Sequence, residues 1–217
     1  MPIRSVPGTA SIANPEGGKL FAPSAARNLD VLCDLLEQIA PSAGRHALEL
    51  ASGTGQHVVV YANRLPQYNW QPTEAAEDRL HSINAYMEEA ALPNVQTAKL
   101  LDATAPGWAA QLAPQDLIVL SNLLHLISTT EAQCLIQEAA QALAPGGRLL
   151  IYGPFTRGGE LTSPGDQSFH ASLQAHDPEI GYKDDFDVLD WAEQAWLSPV
   201  EVVETPANNL ALVLSKG

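Results

Sequence analysis

Between residues 46 and 152 short apolar runs alternate with stretches of helical periodicity, and that alternation leaves few architectures open to the chain. Strands are expected at residues 46–50, 68–72, 95–101, 117–121 and 148–152, with helices at 56–65, 75–91 and 130–143. Strand and helix in turn over this length mean a parallel sheet covered on both faces, the doubly wound, Rossmann-like α/β class. An amphipathic helix precedes them. Leu29, Leu32, Cys33, Leu36 and Ile39 recur at helical spacing between a Pro23-Ser24 start and a Pro41-Ser42-Ala43-Gly44 stop. Ser128-Thr129-Thr130-Glu131 has capping-box spacing, and Ala144-Pro145-Gly146-Gly147 ends the helix that it opens.

Outside this alternation the order loosens. Residues 1–20 are rich in Pro, Gly, Ser and Asn without periodicity, as expected of a mobile arm or lid. Residues 153–185 are polar and rich in Gly and Pro, an expected insert on the substrate side. A helix at 187–197 and β-rich runs at 200–205 and 210–215 follow, the runs joined by Pro206-Ala207-Asn208-Asn209 as an antiparallel hairpin. At 217 residues one domain over the whole chain is expected.

The net charge of −14, with 11 Lys and Arg scattered singly, argues against nucleic acid and anionic membranes as partners. No apolar run approaches the length of a signal core or a membrane span, so a cytoplasmic protein is expected. Cys33 and Cys134 fall on apolar helical faces, which suits free thiols in a reducing compartment. No set of His, Cys and carboxylate residues has metal-ligand spacing, and no metal is expected.

The chemistry concentrates in Ala47-Leu48-Glu49-Leu50-Ala51-Ser52-Gly53-Thr54-Gly55-Gln56-His57, an apolar strand running into a glycine-containing turn and then a helix. Gly53 and Gly55 let a ligand approach the backbone, and the helix start offers free N–H groups. A dinucleotide site wants a third glycine where Val58 stands, which counts against a nicotinamide-dependent oxidoreductase, as does the absence of a Tyr-x-x-x-Lys pair. Glu49, inside the strand, fits S-adenosylmethionine better, because a carboxylate beneath the loop can engage an ammonium. Glu74 follows the second strand, where a carboxylate can accept both ribose hydroxyls, and Asp102 follows the third, where it can meet an adenine amino group. Three acids at the ends of three successive strands lie on the edge where open α/β sheets bind ligands.

These residues match the general pattern of class I methyltransferases, and from about Phe21 onward the chain resembles one small family within it, the DUF938 group, also described as methyltransferase-like 26 proteins. The resemblance rests on Phe21-Ala22-Pro23-Ser24-Ala25-Ala26-Arg27-Asn28, residues 50–57, Trp70-Gln71-Pro72, Leu92-Pro93-Asn94-Val95, residues 144–147, Tyr152-Gly153-Pro154-Phe155, Phe169-His170-Ala171-Ser172-Leu173 and residues 206–209. It implies a seven-stranded sheet with the last strand antiparallel, and S-adenosylmethionine as cofactor. Ala51, where most class I enzymes have their first glycine, is usual in this family and belongs with the cofactor loop. Gly165-Asp166 and Lys183 depart from the Ser-Asn and Arg that the family leads one to expect.

Methyl transfer asks chiefly for alignment of the acceptor and exclusion of water, and for a base only if the acceptor arrives protonated. His125 is the leading candidate base, with Asn122 orienting the acceptor or touching the cofactor and Tyr152 facing the substrate side. Arg27, with Asn28 at the start of a helix folded over the cofactor, is expected to meet the methionine carboxylate or an anionic group of the substrate. The expected partner is a small-molecule methyl acceptor, with the acceptor atom and the oligomeric state left open. A non-catalytic module that binds S-adenosylmethionine is the reading from a different class.

Overall fold

The computed structural model describes residues 18–217, so most of the arm expected at residues 1–20 lies outside the described residues. The elements run α1 (Pro23–Ile39), β1 (His46–Leu50), α2 (Gln56–Arg64), β2 (Asn69–Glu74), α3 (Glu77–Ala90), β3 (Lys99–Leu100), α4 (Ala109–Leu112), β4 (Gln115–Ser121), α5 (Thr129–Ala142) and β5 (Leu143–Gly153). There follow β6 (Phe155–Thr156), α6 (Pro164–His176), β7 (Lys183–Asp184), α7 (Asp185–Gln194), β8 (Leu197–Thr205) and β9 (Asn209–Lys216).

Seven strands form one sheet in the order β3-β2-β1-β4-β5-β9-β8. The first five are mutually parallel, and β9 runs antiparallel to both of its neighbours. The chain therefore starts in the middle of the sheet, winds outward to one edge, returns, and winds to the other. This is the doubly wound arrangement, and the reversal on either side of β1 opens a crevice above the carboxyl ends of β1 and β4.

Period-two alternation sorts the central strands between two cores. Leu48, Leu50, Ile118, Leu120, Leu149, Ile151, Leu212 and Leu214 pack with α4, α5 and α7. Ala47, Leu117, Val119, Leu150, Tyr152, Ala211 and Val213 pack on the other face with α1, α2 and Ile83 of α3. Burial on both faces explains why these strands read as near-continuous apolar runs. By the same alternation Glu49 points to the face covered by α1 and α2.

Both helix boundaries expected around α5 are present. The Ser128 hydroxyl accepts from Glu131 N while the Glu131 carboxylate accepts from Ser128 N, a complete capping box. At the other end Lys216 Nζ donates to the carbonyls of Ala140 (2.8 Å) and Leu143 (2.7 Å), so a cation on β9 satisfies acceptors that the helix leaves open.

Elsewhere the structure corrects the expected bounds. The strand expected at 95–101 contracts to Lys99–Leu100 plus an isolated bridge from Trp70 to Val95. Side chains take the place of ladder partners there, with Gln71 Nε2 donating to Thr97 O and Ala98 N donating to Asn84 Oδ1. The helix expected at 187–197 is Asp185–Gln194, and Leu197 already belongs to β8. The loose region at 153–185 contains the thirteen-residue α6, opened by Ser163, whose hydroxyl accepts from Asp166 N, and by Pro164 at its first position. Its buried seam is only Asp166 and Leu173, too short a stripe to register as helical periodicity. Among the described residues no helix is long and apolar enough to cross a membrane.

Candidate active site

The turn after β1 takes its shape from three positive φ angles, at Ala51 (51°), Gly53 (61°) and Gly55 (91°). Hydrogen bonds to β2 hold it. Ser52 N donates to Thr73 O (2.8 Å), Thr73 Oγ1 donates to Glu49 O (2.8 Å), and Gly53 N donates to Glu74 Oε2 (2.8 Å). Two of the glycine positions differ in what surrounds them. A Cβ on Gly55 would sit 2.6 Å from Ile83 Cα, so Gly55 is where α3 packs directly on the loop; beside Gly53 the nearest atom is 4.0 Å away, and the space is open.

Glu74 ends β2 with both carboxylate oxygens engaged, Oε2 by Gly53 N and Oε1 by Ala75 N (2.8 Å) and Ala76 N (3.3 Å), with Arg79 Nη1 3.8 Å from Oε2. A carboxylate offers about four acceptor sites, so with three backbone donors in place capacity remains for about one hydroxyl donor, on Oε2. Asp102 lies past β3, its Oδ1 accepting from Thr104 N (2.9 Å) and Thr104 Oγ1 (2.6 Å).

Glu49 is the anomaly of the site. It is 1% exposed, and neither carboxyl oxygen has a hydrogen-bond partner. Burial pushes its pKa up to about 8, the nearby Ser52 hydroxyl offsetting part of the rise and the Glu74 carboxylate adding to it. A fully buried acid without a donor is rare in folded proteins and marks a place where a partner belongs.

The start of α1 is tied over this loop. Ala22 N donates to Gln56 Oε1 (2.6 Å), which also accepts from Thr54 Oγ1 (2.9 Å). Ser82 Oγ donates to Thr54 O and accepts from Leu20 N, both at 2.7 Å. His57 Nε2 lies 3.0 Å from Ala25 O, which as a carbonyl requires the ring nitrogen to donate, leaving Nδ1 to accept from Ser121 Oγ at 3.4 Å. Gln56, Ser82 and Ser121 were not singled out by sequence reasoning. Only the juxtaposition of distant segments gives them a role, and no local spacing signals it.

Of the residues at the start of α1, Asn28 is buried, whereas Arg27 is exposed and has no hydrogen bond or ion pair among the described residues. Burial lowers the His57 pKa to about 4. A histidine held neutral in the fold contributes stability that is complete above its unfolded value near 6.5 and is lost as pH falls toward 4. On the order of 2 kcal/mol should disappear between pH 7 and pH 4.5 on this account. Urea unfolding at the two pH values checks it, since His57→Gln should narrow the difference by that amount, and an undiminished difference would assign acid lability elsewhere.

On the other side of the crevice, Asn122 sits at the end of β4 with φ 55°, its N–H donating to Tyr152 O (2.8 Å). The buried Tyr152 hydroxyl accepts from Asn209 Nδ2 (2.9 Å), so the hairpin end joins β5 here. His125 lies in the single helical turn Leu124–Leu126, 5% exposed, its ring edge-on to Phe169 (5.6 Å) and Tyr182 (6.2 Å) of the insert. Burial, helped by Lys183, lowers its pKa to about 3. Asp166 binds the insert to the hairpin, accepting from Tyr182 Oη (3.0 Å), from Ser163 Oγ (2.6 Å) and from Asn208 Nδ2. Lys183 Nζ donates to Ile127 O (2.7 Å) and Gly181 O (2.9 Å), so both positions that depart from the family pattern are structurally engaged.

The structure thus brings Glu49, Ala51, Gly53, Gly55 and Glu74 together at the carboxyl ends of β1 and β2, and gathers Asn122, Tyr152 and Asn209 beyond β4 and β5. Sheet order, the antiparallel β9 and the glycine turn above a buried acid define the class I methyltransferase-like fold. Residues 19–216 match the family model described as a protein of unknown function, DUF938, and the chain belongs to that family.

Solved structures share the architecture. An O-methyltransferase family protein from Burkholderia thailandensis superposes with a TM-score of 0.75 at 18% identity, over 89% of this chain and 57% of its own. The S-adenosylmethionine-dependent methyltransferase SibL gives 0.73 at 18% identity, over 89% and 55%. Human N-acetylserotonin methyltransferase, solved with S-adenosylmethionine, gives 0.73 at 14% identity, over 89% and 53%. The chain spans a little over half the length of these proteins.

Proposed function

We propose that this protein is an S-adenosylmethionine-dependent methyltransferase acting on a small molecule, in keeping with its resemblance to methyltransferase-like 26 proteins. The observation that carries the reading is Glu49, a buried carboxyl group with no donor on either oxygen, lying beneath a glycine turn whose open side is at Gly53. That vacancy in hydrogen bonding fits the ammonium of the methionine moiety. Open space at Gly53 fits a ligand against the backbone, and Glu74 retains acceptor capacity for a ribose hydroxyl. Asp102 is the proposed partner of the adenine amino group, and the exposed Arg27 that of a carboxylate.

When bound, the cofactor supplies a methyl group on a sulfonium. The chain's own task is then to hold an acceptor in line and keep water out. Asn122 and Tyr152, locked together by the backbone hydrogen bond between them and by Asn209, are the proposed orienting residues, and the His125–Phe169–Tyr182 ring cluster is the proposed apolar wall. A ring whose pKa is near 3 is neutral at pH 7 and weakly basic. As a base, His125 would therefore suit only an acceptor that needs little help in losing its proton.

The test is calorimetric titration with S-adenosylhomocysteine, with NAD and NADP as controls. Binding of S-adenosylhomocysteine alone is the expected result, and preference for a nicotinamide nucleotide would end this reading. Glu74→Gln should weaken S-adenosylhomocysteine by roughly tenfold or more, on the scale of a hydrogen bond to a charged group. Unchanged affinity in a folded variant would withdraw the ribose assignment.

A further inference from the structure

The geometry points to a proton-linked binding site: we propose that Glu49 stands protonated in the empty protein and gives up its proton to solvent when a ligand's ammonium group arrives. The inference rests on the reading of the site given above and adds to it a stoichiometry and a criterion for ligand choice.

Three observations support it. Glu49 is fully enclosed, and neither carboxyl oxygen accepts a hydrogen bond, so beyond the partial help of the nearby Ser52 hydroxyl the site leaves a negative charge there unstabilised. The titratable groups gathered around it bring no cation. Glu74 of β2 is a second carboxylate and raises the Glu49 pKa; Tyr61 of α2 is a phenol whose pKa burial pushes far above the usual range, with Glu49, Cys33 of α1 and Tyr152 of β5 adding to the rise. His57, stacked on Tyr61 at 5.4 Å, is held neutral by burial. Finally, Tyr61 Oη is itself buried without a partner, so α2 adds a second unmet polar group to the one on β1.

Burial of this kind puts the Glu49 pKa near 8, and at neutral pH the carboxyl is mostly uncharged. An ammonium changes the balance, because an opposite charge at contact distance favours the ionised acid. The exchange conserves charge and atoms: the carboxylic acid and the ligand's ammonium become a carboxylate–ammonium pair, and one proton passes to water. Ligands that lack the amino-acid group have no means of ionising Glu49. The site should therefore distinguish S-adenosylhomocysteine from 5′-methylthioadenosine by proton release as well as by affinity.

The experiment is calorimetry of the full chain at pH 7 in phosphate and in Tris at matched ionic strength, because buffers of different ionisation enthalpy reveal the number of protons exchanged. S-adenosylhomocysteine is expected to release about one proton per site at pH 7 and progressively fewer as pH rises past about 8, and 5′-methylthioadenosine none. Glu49→Gln should abolish the release while leaving weakened binding. If that variant does not fold, the comparison of the two ligands on the unaltered protein decides the matter. Binding of S-adenosylhomocysteine with no proton exchanged at pH 7 would overturn this proposal and leave the methyltransferase reading standing. Absence of any binding would remove both.

Discussion

Replacing Gly55 by alanine is expected to destabilise the protein by at least about 3 kcal/mol, the larger of two effects concentrated in the glycine turn. Gly55 has φ 91°, where an L-residue is strained, and its absent Cβ would lie 2.6 Å from the Cα of Ile83 and 3.2 Å from its Cβ. The obstacle is backbone of α3, which cannot rotate aside as a long side chain would. Either α3 moves off the loop or the loop unwinds, and both disturb the core that Ile83 shares with Tyr61 and Trp70. A fall in Tm of roughly 6 to 12 °C is expected for a chain of this size. Gly53→Ala is the control. It carries a similar positive φ but meets nothing closer than 4.0 Å, so it should cost only about 1 to 2 kcal/mol of strain. Equal losses at the two positions would show that contact with α3 is not what requires Gly55.

Glu49→Gln is expected to make the empty protein more stable at alkaline pH while impairing the site. With a folded pKa near 8 and an ordinary unfolded value near 4.5, the native state holds more protons than the unfolded state throughout that window. Stability contributed at this position is therefore lost as pH rises from about 4.5 to about 8 and is flat beyond, the cost being the neutral acid that must be kept buried. Glutamine does not titrate and escapes that cost. The advantage of the variant should be near zero at pH 4.5 and reach on the order of 4 kcal/mol by pH 8 to 9, at about 1.4 kcal/mol per pH unit of displacement. Denaturant unfolding across that range checks it. A difference independent of pH would mean that Glu49 ionises normally in the fold. At the same time the variant should bind S-adenosylhomocysteine roughly 10- to 100-fold more weakly, because an amide cannot meet an ammonium with a full charge. A residue that lowers stability in the empty protein and raises it on binding is the signature expected of a functional carboxylate.

Much of this was legible in the chain itself. The alternation of strand and helix, the capping box at Ser128 and the turn built on Ala51, Gly53 and Gly55 are local patterns, set by side-chain periodicity, by donors within four residues and by glycine's access to positive φ. They locate the five parallel strands, five of the seven α-helices and the carboxyl edge on which Glu49 and Glu74 lie. The hairpin of β8 and β9 was equally readable, because Pro206 and two asparagines interrupt two β-rich runs.

What sequence patterns did not reveal depends on residues brought together from far apart. The contraction of β3 follows from Gln71 and Asn84 taking backbone partners that a ladder would have used, and α6 is held by Asp166 bonding to Tyr182 and Asn208 more than by an apolar stripe. The clasp of α1 over the loop needs Gln56, His57 and Ser82, separated from Leu20–Ala25 by 32 to 62 positions in its hydrogen bonds. Most of all, sequence alone made Glu49 an acid in a strand below a turn, a candidate by position. Enclosure by two helices, without a donor, is a property of the assembled sheet: burial sums over the whole fold, and it is burial that turns an ordinary carboxylate into one that waits for a cation.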